Sequence, residues 1–127
     1  MKTAHDLVLA AKACIEECSP TFANQLMNQS KPIVIDVREP DEYMQGHLPS
    51  ALHIPRGLLE FKLASAPILD NREQAFLLYC KTGGRAALAT KTMLEMGYQH
   101  VISISGGWEA WQAAALPTET PKPLAFE

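Results

Sequence analysis

The stretch from Ala75 to Leu88 constrains the fold of this 127-residue chain more than any other. Ala75-Phe76-Leu77-Leu78-Tyr79 is short, apolar and free of glycine and proline, the pattern of a strand buried on both faces. Cys80-Lys81-Thr82-Gly83-Gly84 follows. From Arg85 onward, Ala86, Ala87, Leu88, Ala89, Lys91, Met93, Leu94, Glu95 and Met96 favour a helix, with Gly97 placed as its C-terminal glycine. A strand buried on both faces needs other strands beside it and helices above and below it.

The rest of the chain supplies them. Ile33-Val34-Ile35-Asp36-Val37-Arg38 reads as a central strand ending in charge, Leu52-His53-Ile54-Pro55 as a short strand stopped by proline, and Val101-Ile102-Ser103-Ile104 as the last strand. A first helix is expected from Ala4 to Cys18, with an apolar stripe at Leu7, Val8, Ala11, Cys14, Ile15 and Cys18. Ser19-Pro20 predicts the start of a second, through Phe22, Ala23, Leu26 and Met27. Glu39 to Gln45 reads as a short helix closed by Gly46, and Leu58, Leu59, Phe61, Lys62 and Leu63 predict another. Pro67 to Glu73 is expected to be a polar connection. After Gly106-Gly107 a final helix carries Trp108 and Trp111, both read as packing on the sheet. This alternation predicts a doubly wound α/β domain over residues 19–116, its mostly parallel central sheet covered by helices on both faces. An N-terminal helical extension over residues 1–18 and an extended tail over residues 117–127, with Pro117, Pro121 and Pro123, complete the expected organisation.

Charge excludes some functions. A formal net charge of -3 and the lack of any Lys/Arg block disfavour nucleic-acid binding. The apolar run Leu7 to Ala11 is too short for a secretory signal, and nothing approaches the roughly 18 apolar residues of a membrane span, so a cytoplasmic protein without membrane contact is expected. Three cysteines in such a chain argue for reduced thiols. Cys14 and Cys18 are expected on one helical face, where a mutual disulfide would be strained and packing is the simpler role. Zinc would need two more ligands, and His5, His47, His53 and His100 lack the spacing to supply them, so neither metal nor cofactor is expected.

Cys80 is the candidate for chemistry. A helix start leaves backbone N–H groups unpaired and carries the positive end of the helix dipole, so a thiol placed there is expected to ionise more readily and to serve as a nucleophile. Gly83 and Gly84 let successive N–H groups turn inward as an anion cradle, and Lys81 and Arg85 add positive charge. The bland alternative is a buried structural thiol. Asp36 and Arg38, at the carboxyl end of their strand, either stand near Cys80 as an acceptor for loop N–H groups and a partner for carboxylates, or form an ordinary solvated strand end. Arg56 and Glu60 are further candidates to line the site.

Asp36-Val37-Arg38-Glu39-Pro40-Asp41-Glu42-Tyr43, Gly46-His47-Leu48-Pro49, Ile54-Pro55, Cys80-Lys81-Thr82-Gly83-Gly84-Arg85 and Gly106-Gly107-Trp108, in that order, resemble the single-domain rhodanese-like sulfurtransferases, and the likeness covers about Ser19 to Leu116. The resemblance implies that Cys80 accepts a sulfane sulfur from a small anionic donor such as thiosulfate, becomes a persulfide, and passes the sulfur to cyanide or a thiol acceptor. A sulfur-relay protein is a further partner it suggests. It implies a cradle of N–H groups from Lys81 through Thr82, Gly83 and Gly84 to Arg85, with Lys81 and Arg85 steering the donor and Asp36 and Arg38 bracing the loop. His47 reads as structural. Ser50 departs from the family, where glycine is usual at that turn. The related phosphatases and arsenate reductases have one more loop residue, so a loop running only from Cys80 to Arg85 favours a single sulfur over a tetrahedral phosphate. The same fold also serves as a non-enzymatic carrier or partner-binding module. The N-terminal helix is then a docking element, a cover for the domain's own core, or a dimer contact.

Overall fold

The computed structural model describes residues 1–121. Its strands are β1 (Glu16–Cys18), β2 (Ile33–Asp36), β3 (Leu52–His53), β4 (Ala75–Tyr79) and β5 (His100–Ile104). They form one sheet in the order β1-β5-β4-β2-β3, every pair parallel. β4 lies at the centre, with Leu78 level with Ile35 of β2 and Ser103 of β5. Its side chains alternate between two cores, as the two-residue period of a strand requires. Phe76, Leu78 and Cys80 join Ile35, Leu59, Leu63 and Met93 in one layer, while Leu77 and Tyr79 join Ala23, Val34 and Trp111 in the other.

The helices are α1 (Ala4–Lys12), α2 (Pro20–Gln29), α3 (Pro40–Met44), α4 (Leu59–Ser65), α5 (Gly84–Glu95) and α6 (Gly107–Ala113). α5 packs against α1 and α4 on one side of the sheet, and α2 packs against α6 on the other. The α/β fold expected from the alternating pattern is therefore present. Ser19 caps α2 by accepting from the Phe22 N–H at 3.1 Å.

The N-terminal segment differs from expectation. The helix stops at Lys12, and Glu16–Cys18 adds an edge strand to β5, pairing Glu16 with Ile102 and Cys18 with Ile104. The open edge of β5 offers backbone partners that outweigh helix propensity over these residues. Cys14 and Cys18 consequently do not share a helical face: Cys14 is exposed in the turn and Cys18 is half-buried in β1. The helical stripe is only partly used, with Ala11 buried and Leu7 left exposed. Pro67–Leu69, expected as a polar connection, forms a 3-10 turn that buries Leu69. The start of the tail is tied down, since the Trp111 indole N–H donates to Pro117 O at 2.8 Å and Glu119 bridges His47. Pro123 and the rest of the tail beyond Pro121 lie outside the described residues.

Candidate active site

At the carboxyl end of β4, the chain passes through Cys80 and turns at Gly83, whose φ of +119° is open to glycine at little cost. This turn brings the first residues of α5 over the sulfur. The Gly83 N–H donates to Cys80 Sγ at 3.1 Å and the Ala86 N–H at 3.4 Å. Ala86 is the third residue of α5, so its N–H has no partner within the helix, and the sulfur occupies the place a capping oxygen takes elsewhere. The Cys80 carbonyl is held just as firmly. Trp108 N–H donates to it at 2.8 Å, and Glu109 N–H donates to Lys81 O at 3.1 Å, so the amino end of α6 clamps the loop. Gly107, at φ +54°, makes the clamp possible: a Cβ there would overlap the Cys80 carbonyl oxygen.

Behind the loop lies a buried polar network. Asp36 accepts from the Arg38 backbone N–H at 2.9 Å and from its guanidinium Nε and Nη2, the latter at 2.7 Å. Arg38 Nη2 also donates to Gly46 O at 2.6 Å, and the guanidinium stacks 4.8 Å from the Trp108 ring. The Tyr79 hydroxyl donates to Asp36 and accepts from the Leu48 N–H at 3.1 Å. Burial first, then the Asp36 charge, pushes the Tyr79 phenol far above its ordinary range. For Arg38, burial opposes the charge but is outweighed by the hydrogen bond and charge of Asp36, so its pKa rises. Asp36 thus bonds Arg38 and Tyr79, with the loop residues 81–85 not among its partners. It reaches the loop through Tyr79, the residue before Cys80.

Arg85 is also committed. It donates to Glu42 Oε1 at 2.7 Å and Oε2 at 3.0 Å, a two-pronged pair between α5 and α3. That hydrogen bonding is the main reason the Glu42 carboxyl is held down at about 2. The mouth beside the loop is lined by Arg38, Asp41, Glu42, Gln45, Lys81 and Trp108, with neither Cys80 nor Arg85 in its lining. Lys81 and Thr82 are exposed, whereas Cys80 is only 1% exposed, directly beneath them. A thiol open to solvent is therefore not what the loop presents.

Some expected residues stand elsewhere. Arg56 and Glu60 pair at 3.1 Å, and Arg56 reaches Thr92 on α5 at 3.1 Å, so they brace that helix and are absent from the mouth. Trp111 is fully buried as expected, but Trp108 is only partly buried and lines the mouth. His47 is buried, stacked on Tyr43, with Nδ1 2.8 Å from Leu48 O. Ser50 adopts φ +60°, keeping the left-handed turn that glycine would favour. Sequence reasoning missed Glu42, Tyr79 and Gly107 as site residues; the spacing of the Gly106-Gly107-Trp108 run behind a strand is the one signal that could have found the clamp.

Residues 19–114 match the family described as Rhodanese-like domain. The chain belongs to the rhodanese-like family. A sulfurtransferase of Allochromatium vinosum is 28% identical over 104 residues, covering 82% of this chain and 94% of its own. The polysulfide-sulfur transferase homodimer of Wolinella succinogenes is 35% identical with a TM-score of 0.76, over 91% of this chain and 85% of that one. A protein of unknown function from Rhodopseudomonas palustris, described as a possible tyrosine phosphatase, is 31% identical with a TM-score of 0.87, over 94% and 96% of the two chains.

Proposed function

We propose that this rhodanese-like chain is a sulfurtransferase in which Cys80 takes a sulfane sulfur from thiosulfate or a similar donor, carries it as a persulfide, and passes it to cyanide or a thiol. The observation that carries this reading is the pair of N–H groups, from Gly83 and Ala86, aimed at Sγ beneath the first turn of α5. Fixed amide dipoles favour negative charge on sulfur, both on the attacking thiolate and on the persulfide that replaces it. With thiosulfate, a sulfur lone pair forms the new S–S bond while the donor's S–S electrons leave with sulfite. Attack by cyanide or a thiolate on the outer sulfur then returns Cys80, which gives ping-pong kinetics. The relatives named sulfurtransferase and polysulfide-sulfur transferase support the same chemistry.

Lys81, Thr82, Gly83, Gly84 and Arg85 surround the sulfur in this scheme, and Asp36 and Arg38 hold the strand ends from which the loop departs. Cys18 is a poor competitor, since burial and then the Glu17 charge push its thiol up to about 11. Three free thiols suit a reducing compartment, and we place the protein in the cytoplasm. Among the described residues no helix is long and apolar enough to cross a membrane. Protein treated with thiosulfate should show one added sulfur on the Cys80 peptide by mass spectrometry, and a Cys80→Ser variant none. Sulfur confined to Cys14 or Cys18 would remove the assignment.

The description of the Rhodopseudomonas neighbour makes phosphate-ester hydrolysis the second reading. Arg85 argues against it, because the side chain that would hold a phosphate is already engaged by both oxygens of Glu42. Turnover of an aryl phosphate at a rate comparable to thiosulfate would reverse the order. The burial of Cys80 favours, as a third use, a carrier loaded by a partner that opens the loop; thiosulfate would then label Cys80 far more slowly than a protein donor.

A further inference from the structure

The family match ends at residue 114, yet the chain that follows is bonded into the support of the site. Leu116 packs on the layer that contains Trp111, and the Trp111 indole N–H donates to Pro117 O at 2.8 Å. Glu119 then pairs with His47 in both directions, each N–H donating to the other's carbonyl at 2.8 Å. Its Oε1 also accepts from the Ser50 N–H at 3.0 Å. Ser50 holds φ +60° without being glycine, a left-handed conformation that a residue with a Cβ resists. The Glu119 carboxylate therefore sits at the one position of the turn 46–50 whose backbone needs holding.

That turn reaches Cys80 by two routes. Gly46 O accepts from Arg38 Nη2 at 2.6 Å and the Leu48 N–H donates to the Tyr79 hydroxyl at 3.1 Å, and Tyr79 is the residue before Cys80. Gly46 also makes room for the Trp108 ring, 3.1 Å from where a Cβ would stand, and the Trp108 N–H holds the Cys80 carbonyl at 2.8 Å. We infer that Glu119 is a positioning residue for the sulfur transfer: it fixes the left-handed turn at Ser50, and through Arg38, Tyr79 and Trp108 that turn keeps Cys80 beneath the N–H groups of Gly83 and Ala86. This inference rests on the sulfur-transfer reading above and adds to it a residue from outside the loop. Glu119 does not line the mouth, so it acts on the alignment of the thiol and not on the binding of a donor. The role needs an oxygen that accepts from Ser50, which an amide supplies as well as a carboxylate. Ser50→Gly removes the need, because glycine enters the left-handed region freely.

The test uses the full chain with thiosulfate as donor and saturating cyanide as acceptor, reading kcat and KM, and follows exchange of the Trp108 amide hydrogen by NMR. Glu119→Ala should lower kcat by about fivefold, the effect of one net hydrogen bond, with KM for thiosulfate unchanged, and should speed the Trp108 exchange by a similar factor. Glu119→Gln should restore both readings, and so should Ser50→Gly added to Glu119→Ala. Glu119→Pro, which also removes the N–H that His47 O accepts, should lower kcat further. A contact that only stabilises the fold would lower the urea midpoint of Glu119→Ala and leave its kcat and its Trp108 exchange under native conditions unchanged. That result overturns the inference, and so does a loss of kcat that Ser50→Gly leaves in place. The exchange measurement needs no sulfur donor. Absence of turnover in the wild type, with no sulfur on Cys80, overturns the transferase reading, while the exchange series still decides whether Glu119 holds the loop.

Discussion

Tyr79 and Cys80 are neighbours that serve opposite faces of the sheet, the ring entering the α2–α6 layer while the sulfur enters the α5 layer. The hydroxyl of Tyr79 bonds Asp36 and Leu48, so the residue that aims Cys80 is fixed by the network that contains Arg38. Tyr79→Phe leaves the buried Leu48 N–H without its acceptor and should cost about 1–3 kcal/mol in urea unfolding. Glu42 makes a different kind of statement. Its carboxyl is lowered by Arg85 from 4.5 to about 2 in the folded chain. The unfolded chain then binds the proton first as pH falls, so the stability due to the pair is complete above pH 4.5 and is lost as pH drops toward 2. Acid unfolding followed by circular dichroism should show this slope in the wild type, and Glu42→Gln should lack it.

At the scale of elements, the loop is held between the first turn of α5 and the first turn of α6. Both helices begin at a glycine with positive φ before their first residue, Gly83 for α5 and Gly106 for α6. Gly107→Ala would put a Cβ into the Cys80 and Lys81 carbonyls at φ +54°, and we expect a loss of about 3 kcal/mol from left-handed strain and overpacking together. Gly57→Ala, with nothing within 4 Å of the added carbon, is the control and should be near neutral in the same denaturant titration. The contrast also explains what the sequence made legible. β2, β4 and β5 carry apolar runs because packing writes their composition, and the Cys80–Gly83–Gly84 turn is visible because a helix that starts directly over a strand end needs glycine at its turn. β1 has no such imprint: Glu16, Glu17 and Cys18 form a strand only because β5 offers an edge. Glu42, on α3, and Trp108, on α6, meet the loop through tertiary packing, which no local pattern records.

At the scale of the molecule, the first 18 residues divide into two parts with different roles. α1 lies on α5, and Val8 sits near enough to Gly84 to be 3.5 Å from any Cβ placed there, so the helix rests on the turn that covers the sulfur. It buries little else, with Ala11 its only fully buried residue. Removing residues 1–13 should therefore cost only about 2 kcal/mol, the scale of one apolar side chain returned to water. Removing residues 1–18 takes β1 as well, leaving the backbone of β5 from Ile102 to Ile104 without its outer partner and exposing Ile102. An unpaired, apolar edge invites pairing between chains. The shorter truncation should remain monodisperse in light scattering at concentrations where the longer one associates, and should unfold in a single urea transition shifted modestly from the full chain. If the two truncations behave alike in both measurements, β1 contributes nothing beyond α1 and the sheet is complete with four strands.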